Sequence, residues 1–182
     1  MPAPLLIIVT GMPSSGKTTV AEALSVRLRL PLIAKDEIKE GLFDSLGTGD
    51  VEWSGRLGRA AYVLIFGFAR TLLASGISAI VEANFFKGQE AEFSRLPEHR
   101  LVQVHCHAPL AVLIRRYAGR VRHAGHHDDQ KVKELAMRFE SGAHAPLDLP
   151  GELIQLDTTN SVNAEVLADR LREACPRDSP SH

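Results

Sequence analysis

Gly11-Met12-Pro13-Ser14-Ser15-Gly16-Lys17-Thr18 reads G-x-x-x-x-G-K-T and follows directly on the apolar run Leu5-Leu6-Ile7-Ile8-Val9. A short buried strand, a glycine-bounded loop and a helix-competent segment from Thr19 to Leu28 are the setting in which this pattern forms a P-loop. Successive backbone N–H groups, aimed inward at the positive end of the following helix, make a nest for phosphate oxygens. Lys17 adds a point charge near the β- and γ-phosphates, and Thr18 offers its hydroxyl to Mg²⁺. With Met12, Pro13, Ser14, Ser15 and Thr19 completing the loop, the expected ligands are ATP and Mg²⁺.

Further along the chain are groups able to act on that phosphate. Pro31-Leu32-Ile33-Ala34 reads as a second buried strand that ends on Lys35-Asp36. A carboxylate at a strand's carboxyl end faces the ligand side of an open parallel sheet, where Asp36 accepts a hydroxyl proton or orients a nucleophile. The plainer reading of Asp36 is a helix N-cap. Ile77 to Glu82 reads as a third strand, again ending on a carboxylate, so Glu82 serves a Mg²⁺-bound water, a substrate hydroxyl or only a local hydrogen bond. Asn84, Phe85 and Phe86 then offer one polar and two apolar contacts, a mixture suited to a small-molecule pocket. Arg116 and Arg120 share a helical face, where an anion between them relieves their repulsion. Their guanidinium forks suit a transferring phosphoryl group, and a solvated basic face is the alternative.

The elements that must position these groups follow from periodicity. Leu57, Ala60, Ala61, Leu64, Ile65, Phe68 and Leu72 mark a long amphipathic helix ended by Gly76, with Trp53 just ahead of it and Tyr62, Phe66 and Phe68 as packing residues. Leu101 to His107 is a fourth strand, Pro109 starts a helix that runs into the arginines, and His123 to Asp129 has the polar character of a lid. Asp129 to Ser141 is helical, Ala143 to Gly151 a loop, Glu152 to Thr159 a fifth strand, and Val162 to Ala174 a closing helix. Near-continuous apolar strands alternating with helices predict a three-layer α/β/α P-loop NTPase fold with a five-stranded parallel sheet and a helical lid. One domain over residues 1–176, a lid at about 116–130 and a frayed tail at 177–182 are expected.

Bulk properties narrow the partners. The chain has 182 residues and a net charge of −1, so no global basic field gathers nucleic acid or an anionic membrane. Cys106 and Cys175 lie far apart without ligand spacing, which argues against a disulfide scaffold or structural zinc and for a reducing, cytoplasmic setting. His105 and His107 point to one face without a third ligand, and neither they nor His126-His127-Asp128 make a metal centre. The N-terminal apolar run of about six residues is far below the ~18–20 needed to cross a bilayer.

Taken together, G-M-P-S-S-G-K-T, K-D-E-I-K, L-L-A-S-G-I-S-A-I-V-E-A-N-F, H-A-P-L-A-V-L-I-R-R-Y-A-G-R and L-I-Q-L-D-T-T resemble the small AAA-type P-loop kinases that include chloramphenicol phosphotransferase-like and polynucleotide kinase-like proteins. The resemblance covers about residues 5–170. It implies ATP on residues 11–19, a base role for Asp36, lid arginines at Arg116 and Arg120, and an adenine-side contact near Thr158. Two positions depart from the pattern: Lys39 stands where polynucleotide kinases tend to have arginine, and Glu82 where aspartate is common. The leading expectation is an ATP-dependent kinase for a hydroxyl of a small molecule, an antibiotic or a metabolite. Lys39 and the lid arginines instead suit a polynucleotide 5′-hydroxyl kinase, and a nucleotide-gated module that hydrolyses ATP slowly is the non-transferring alternative. Nothing in the sequence sets the oligomeric state.

Overall fold

All seven residues of the first strand, Leu5–Gly11, are buried, which a strand covered on both faces by helices requires of its side chains. The computed structural model describes residues 2–119 and 132–174. In chain order the elements are β1 (Leu5–Gly11), α1 (Lys17–Leu28), β2 (Leu32–Ala34), α2 (Lys35–Leu46), α3 (Val51–Ala74), β3 (Ala79–Glu82), α4 (Glu90–Ser94), β4 (Arg100–His107), α5 (Leu110–Ala118), α6 (Val132–Glu140), β5 (Glu152–Asp157) and α7 (Ala164–Ala174). The five strands pair in the order β2-β3-β1-β4-β5, each junction parallel. Alternate residues of β1 feed two cores. Leu5, Ile7 and Val9 pack with Val20, Leu24, Leu167 and Leu171 from α1 and α7. Leu6 and Ile8 pack with Ile65, Phe66 and Leu73 of α3 and with Phe93. The expected three layers and parallel sheet are present.

Register places the chemistry. Val9 lies beside Glu82 and Ala34 beside Glu82 on its other side, so the exits of β1, β2 and β3 meet at one edge. The loop after β1, the first turn of α2 and the segment after β3 are therefore neighbours in space.

Details differ from the sequence expectation where local hydrogen bonds decide. Trp53 lies inside the first turn of α3: Asp50 caps that helix by accepting from the Trp53 N–H at 2.8 Å, and the indole N–H donates to the Gly47 carbonyl at 2.9 Å. The third strand begins at Ala79 and not Ile77, because the Ile77 N–H is spent on the Leu72 carbonyl, closing the end of α3. Helix α3 is long and apolar enough to cross a membrane by length and composition. Its Leu57, Ala61, Ile65, Ala69 and Leu73 stripe is buried against the rest of the protein. Most of the lid expected at about 116–130, from Arg120 onward, and the tail at 177–182 lie outside the described residues.

Gly11 carries the strand into the loop at φ +144°, and a Cβ there would sit 2.2 Å from the Cys106 carbonyl oxygen. Both the backbone region and the approach of β4 exclude a side chain. Gly11→Ala is expected to destabilise the protein by at least ~2–3 kcal/mol, a melting-temperature drop on the order of 5–10 °C readable by circular dichroism.

Candidate active site

The phosphate loop is shaped by its own backbone. Ser15 N–H donates to the Met12 carbonyl at 3.1 Å, Ser14 holds a left-handed φ of 65°, and Gly16 caps α1 at φ 79° without a side-chain hydrogen bond. No capping side chain therefore competes for the first N–H groups of α1. The hydroxyls of Ser14 and Ser15 are buried without a partner. That combination, orphan donors around a helix N-terminus, suits an anion.

Lys17 is buried, with its Nζ 3.7 Å from Glu82 Oε1. The separation exceeds that of a good hydrogen bond, so the ammonium is held by charge and can turn toward a phosphate. Burial pushes the Glu82 carboxyl above its ordinary range; Lys17 opposes that shift, Asp36 adds to it, and the Thr18 side chain hydrogen-bonds to Glu82. Its second oxygen, Oε2, is buried without a partner. Two hard oxygen donors, Thr18 Oγ1 and an orphan carboxylate oxygen, thus adjoin the phosphate nest. Magnesium usually takes only one or two protein oxygens and completes its shell with phosphate and water, so these residues fit it.

Asp36 does not cap a helix with its side chain. Helix α2 already starts at Lys35 with Ala34 as its cap residue, and Asp36 lies in the first turn, half-buried. Its charge raises the proton affinity of both Glu82 and Tyr62, which puts it within electrostatic reach of them. Tyr62, which the sequence places among packing residues, also makes polar contacts. Its ring does meet Phe85 and Phe86, but its hydroxyl donates to the Asn84 carbonyl at 2.9 Å and its face carries the Lys35 ammonium at 4.8 Å.

Two residues expected at the substrate have partners inside the protein. Lys39 is buried between α2 and α3, donating to Ser54 Oγ at 2.8 Å with its ammonium 5.1 Å from the Phe43 ring centre. Phe85 is 0% exposed and packs edge-on to Phe93 at 5.1 Å, so it supports the loop from below, while Phe86 is 41% exposed and remains at the surface.

Arg116 is brought to the opposite end of the loop. Its Nη2 donates to the Thr158 carbonyl at 2.6 Å and the Thr159 carbonyl at 3.2 Å, and Thr158 donates its hydroxyl to the Ser15 carbonyl at 2.7 Å. Here Arg116 and Thr158 join Gly16, Thr19, Val20 and Asn160 around a cavity of about 440 Å³. The guanidinium is thereby placed beside a cavity with room for a nucleobase. Arg120 lies outside the described residues.

Among the described residues no group of three His, Cys, Asp or Glu side chains converges on one point. Burial, assisted by His107 and His144, lowers the His105 pKa to about 4. The unfolded chain binds this proton near pH 6.5 and the folded chain only near 4, so stability is lost as pH falls through that window. The expected loss from this group is roughly 3 kcal/mol, from about 2.5 pKa units at 1.36 kcal/mol each. Glu82 acts in the opposite sense. Urea denaturation of wild type and His105→Leu from pH 7 to 4 isolates the histidine, and the variant is expected to show the shallower decline.

Residues 6–141 match the profile of an AAA domain, a span that takes in the phosphate loop, Asp36, Glu82 and Arg116. The chain belongs to this AAA domain family. Among solved structures, the AAA domain is similar to a candidate kinase from Chloroflexus aurantiacus J-10-fl, at 38% identity over 94% of this chain and 98% of the other, with a TM-score of 0.88. A sugar kinase from Janibacter sp. HTCC2649 aligns at 17% identity over 94% of each chain, with a TM-score of 0.61. Shikimate kinase from Bacteroides thetaiotaomicron aligns at 17% identity over 96% of this chain and 99% of its own, with a TM-score of 0.57. The last two show a shared fold, that of P-loop kinases. No curated protein matches the chain.

Lys35, Tyr62, Arg138 and His144 are functional candidates that motif reading did not reach. Only the hydroxyl on Tyr62, within an otherwise apolar stripe, signals one of them.

Proposed function

We propose that this AAA domain is an ATP-dependent kinase that transfers the γ-phosphoryl group to a hydroxyl of a small molecule. The observation that supports the reading is that Asp36, in the first turn of the helix after β2, lies within electrostatic reach of the Glu82–Lys17 pair at the carboxyl ends of β1, β2 and β3. A loop that only bound or slowly hydrolysed nucleotide needs no second carboxylate so near.

In this reading residues 11–19 hold the triphosphate, and Arg116 and Thr158 flank the base. Lys17 leaves Glu82 for the β- and γ-phosphates. Thr18 and Glu82 would hold Mg²⁺, which when bound neutralises phosphate charge. Asp36 takes the proton from the acceptor hydroxyl as its oxygen bonds to the γ-phosphorus, and the bond from that phosphorus to the bridging oxygen breaks to release ADP. Asn84 and Phe86 border the acceptor. Arg120 is assigned with the lid to the transferring group, where guanidinium charge is worth most.

A polynucleotide acceptor is less well supported, because Lys39, the phosphate contact it asked for, is packed against Ser54 and Phe43. Cys106, a buried thiol whose pKa burial raises to about 12, is at home in a reducing cytoplasm. The test is ATP turnover against a panel of hydroxyl compounds, scored for phosphorylated product. Phosphate release that never yields such a product rejects the kinase reading.

A further inference from the structure

Thr158 stands between the cavity beside Arg116 and the back of the phosphate loop, and its contacts divide between the two. It is 4% exposed. Its hydroxyl lies 2.7 Å from the Ser15 carbonyl and 3.0 Å from the His107 carbonyl, with one proton to give. The His107 carbonyl already accepts the Thr158 backbone N–H at 2.9 Å. The proton therefore goes along the shorter contact, and the hydroxyl donates to Ser15 from behind the loop.

That bond orients a whole peptide. The Ser15–Gly16 peptide is trans and planar, so the Gly16 N–H points opposite to the Ser15 carbonyl, away from Thr158. Gly16 caps α1 at φ 79°, and a Cβ on it would lie 3.6 Å from Thr158 Cβ, which seats the threonine directly behind this peptide. An anion nest works only when successive N–H groups face the anion and the carbonyls between them face out. Ser15 is 0% exposed, so its outward carbonyl has no water to bond and needs a donor from the protein. Thr158 supplies it. The loop is bonded at its back in this way while the Ser14 and Ser15 hydroxyls are buried without a partner.

The other half of Thr158 serves the base side. Its carbonyl accepts from Arg116 Nη2 at 2.6 Å, a contact made by the backbone and independent of the side chain. The hydroxyl is thus free of that task and has its own.

We infer that Thr158 is a positioning residue for the phosphate loop: its hydroxyl holds the Ser15–Gly16 peptide in the orientation that binds phosphate, separately from any contact with the base. The inference rests on the part of the kinase reading that seats a triphosphate on residues 11–19, and not on transfer to an acceptor.

Inorganic triphosphate with Mg²⁺ is the deciding probe, because it fills the loop and has no base to meet Thr158. Calorimetric titrations of this probe and of ATP compare the full chain with Thr158→Val, which keeps the shape of the side chain, and Thr158→Ser, which keeps the hydroxyl. Thr158→Val is expected to weaken both probes by the same factor, about tenfold, the loss of one hydrogen bond. Thr158→Ser is expected to bind both within about twofold of the wild type. In spectra of ¹⁵N-glycine-labelled protein saturated with triphosphate, the Gly16 amide is expected to shift in the wild type and in Thr158→Ser, and less in Thr158→Val. A role in folding alone would lower the melting temperature of Thr158→Val and leave that shift unchanged, which overturns the inference. A loss confined to ATP makes Thr158 a base contact only and overturns it too. So does a tenfold loss of triphosphate in Thr158→Ser, an arm that stands even where Thr158→Val folds poorly. A wild type that binds neither probe rejects the seating of the triphosphate and the inference with it. The expected variant pattern without phosphorylated product on any acceptor keeps the inference and rejects the kinase reading alone.

Discussion

Lys17→Met is expected to lower phosphoryl transfer about 10²–10³-fold, the usual cost of removing one preorganised group aimed at transition-state charge. The structure adds a second consequence, on stability. Lys17 is the cation paired with Glu82, a carboxylate whose proton affinity burial already raises. Breaking a buried pair from one side typically costs about 3–5 kcal/mol, because the remaining charge has no partner. The cost falls at the low end of that range here, since Glu82 escapes it by taking a proton. Lys17→Met with Glu82→Gln is therefore expected to recover most of the lost stability and none of the activity. Thermal melts and steady-state turnover on the three proteins separate the effects. A double variant as unstable as the single one would show that the pair is not the source.

What was legible in the sequence was whatever spacing alone enforces. The phosphate loop is a contiguous eight-residue pattern between a strand and a helix, so its backbone geometry travels with its residues. Asp36 and Glu82 stand out in the sequence because parallel strands deliver their last residues to one edge. The burial of Lys39 follows from helical phase: Lys35, Lys39 and Phe43 are four apart, and all three lie on the buried face of α2. Phe85 continues the alternation of β3, going inward with Ala83 while Phe86 turns out, a rule that could have been applied before the structure. The partners of Arg116 were not legible in the sequence. Its carbonyl acceptors, Thr158 and Thr159, are contributed by the far end of β5, and no local pattern announces a contact across that many residues. Arg138 and His144 enter the site for the same nonlocal reason, through a segment pinned to β4 by the Gln103 side chain, which bonds both the N–H and the carbonyl of Leu147.

Asp36→Asn is expected to separate transfer from nucleotide binding, and with opposite signs. Asparagine keeps the size of the side chain but cannot take the proton, so transfer falls about 10²–10⁴-fold, the range of general-base catalysis. Binding should not follow it down. Asp36 raises the proton affinity of Glu82, so removing that charge lowers the Glu82 pKa and favours its ionised form. An ionised Glu82 is the better neighbour for Thr18 and Mg²⁺, and ATP with Mg²⁺ is expected to bind as tightly as in the wild type or slightly more tightly. Calorimetric titration of ATP at pH 7, beside turnover on the same preparation, reads both quantities. A residue needed only for folding would weaken both together. Such a joint loss would move Asp36 from the proton to the architecture of the first turn of α2, and leave Glu82 as the carboxylate closest to the chemistry.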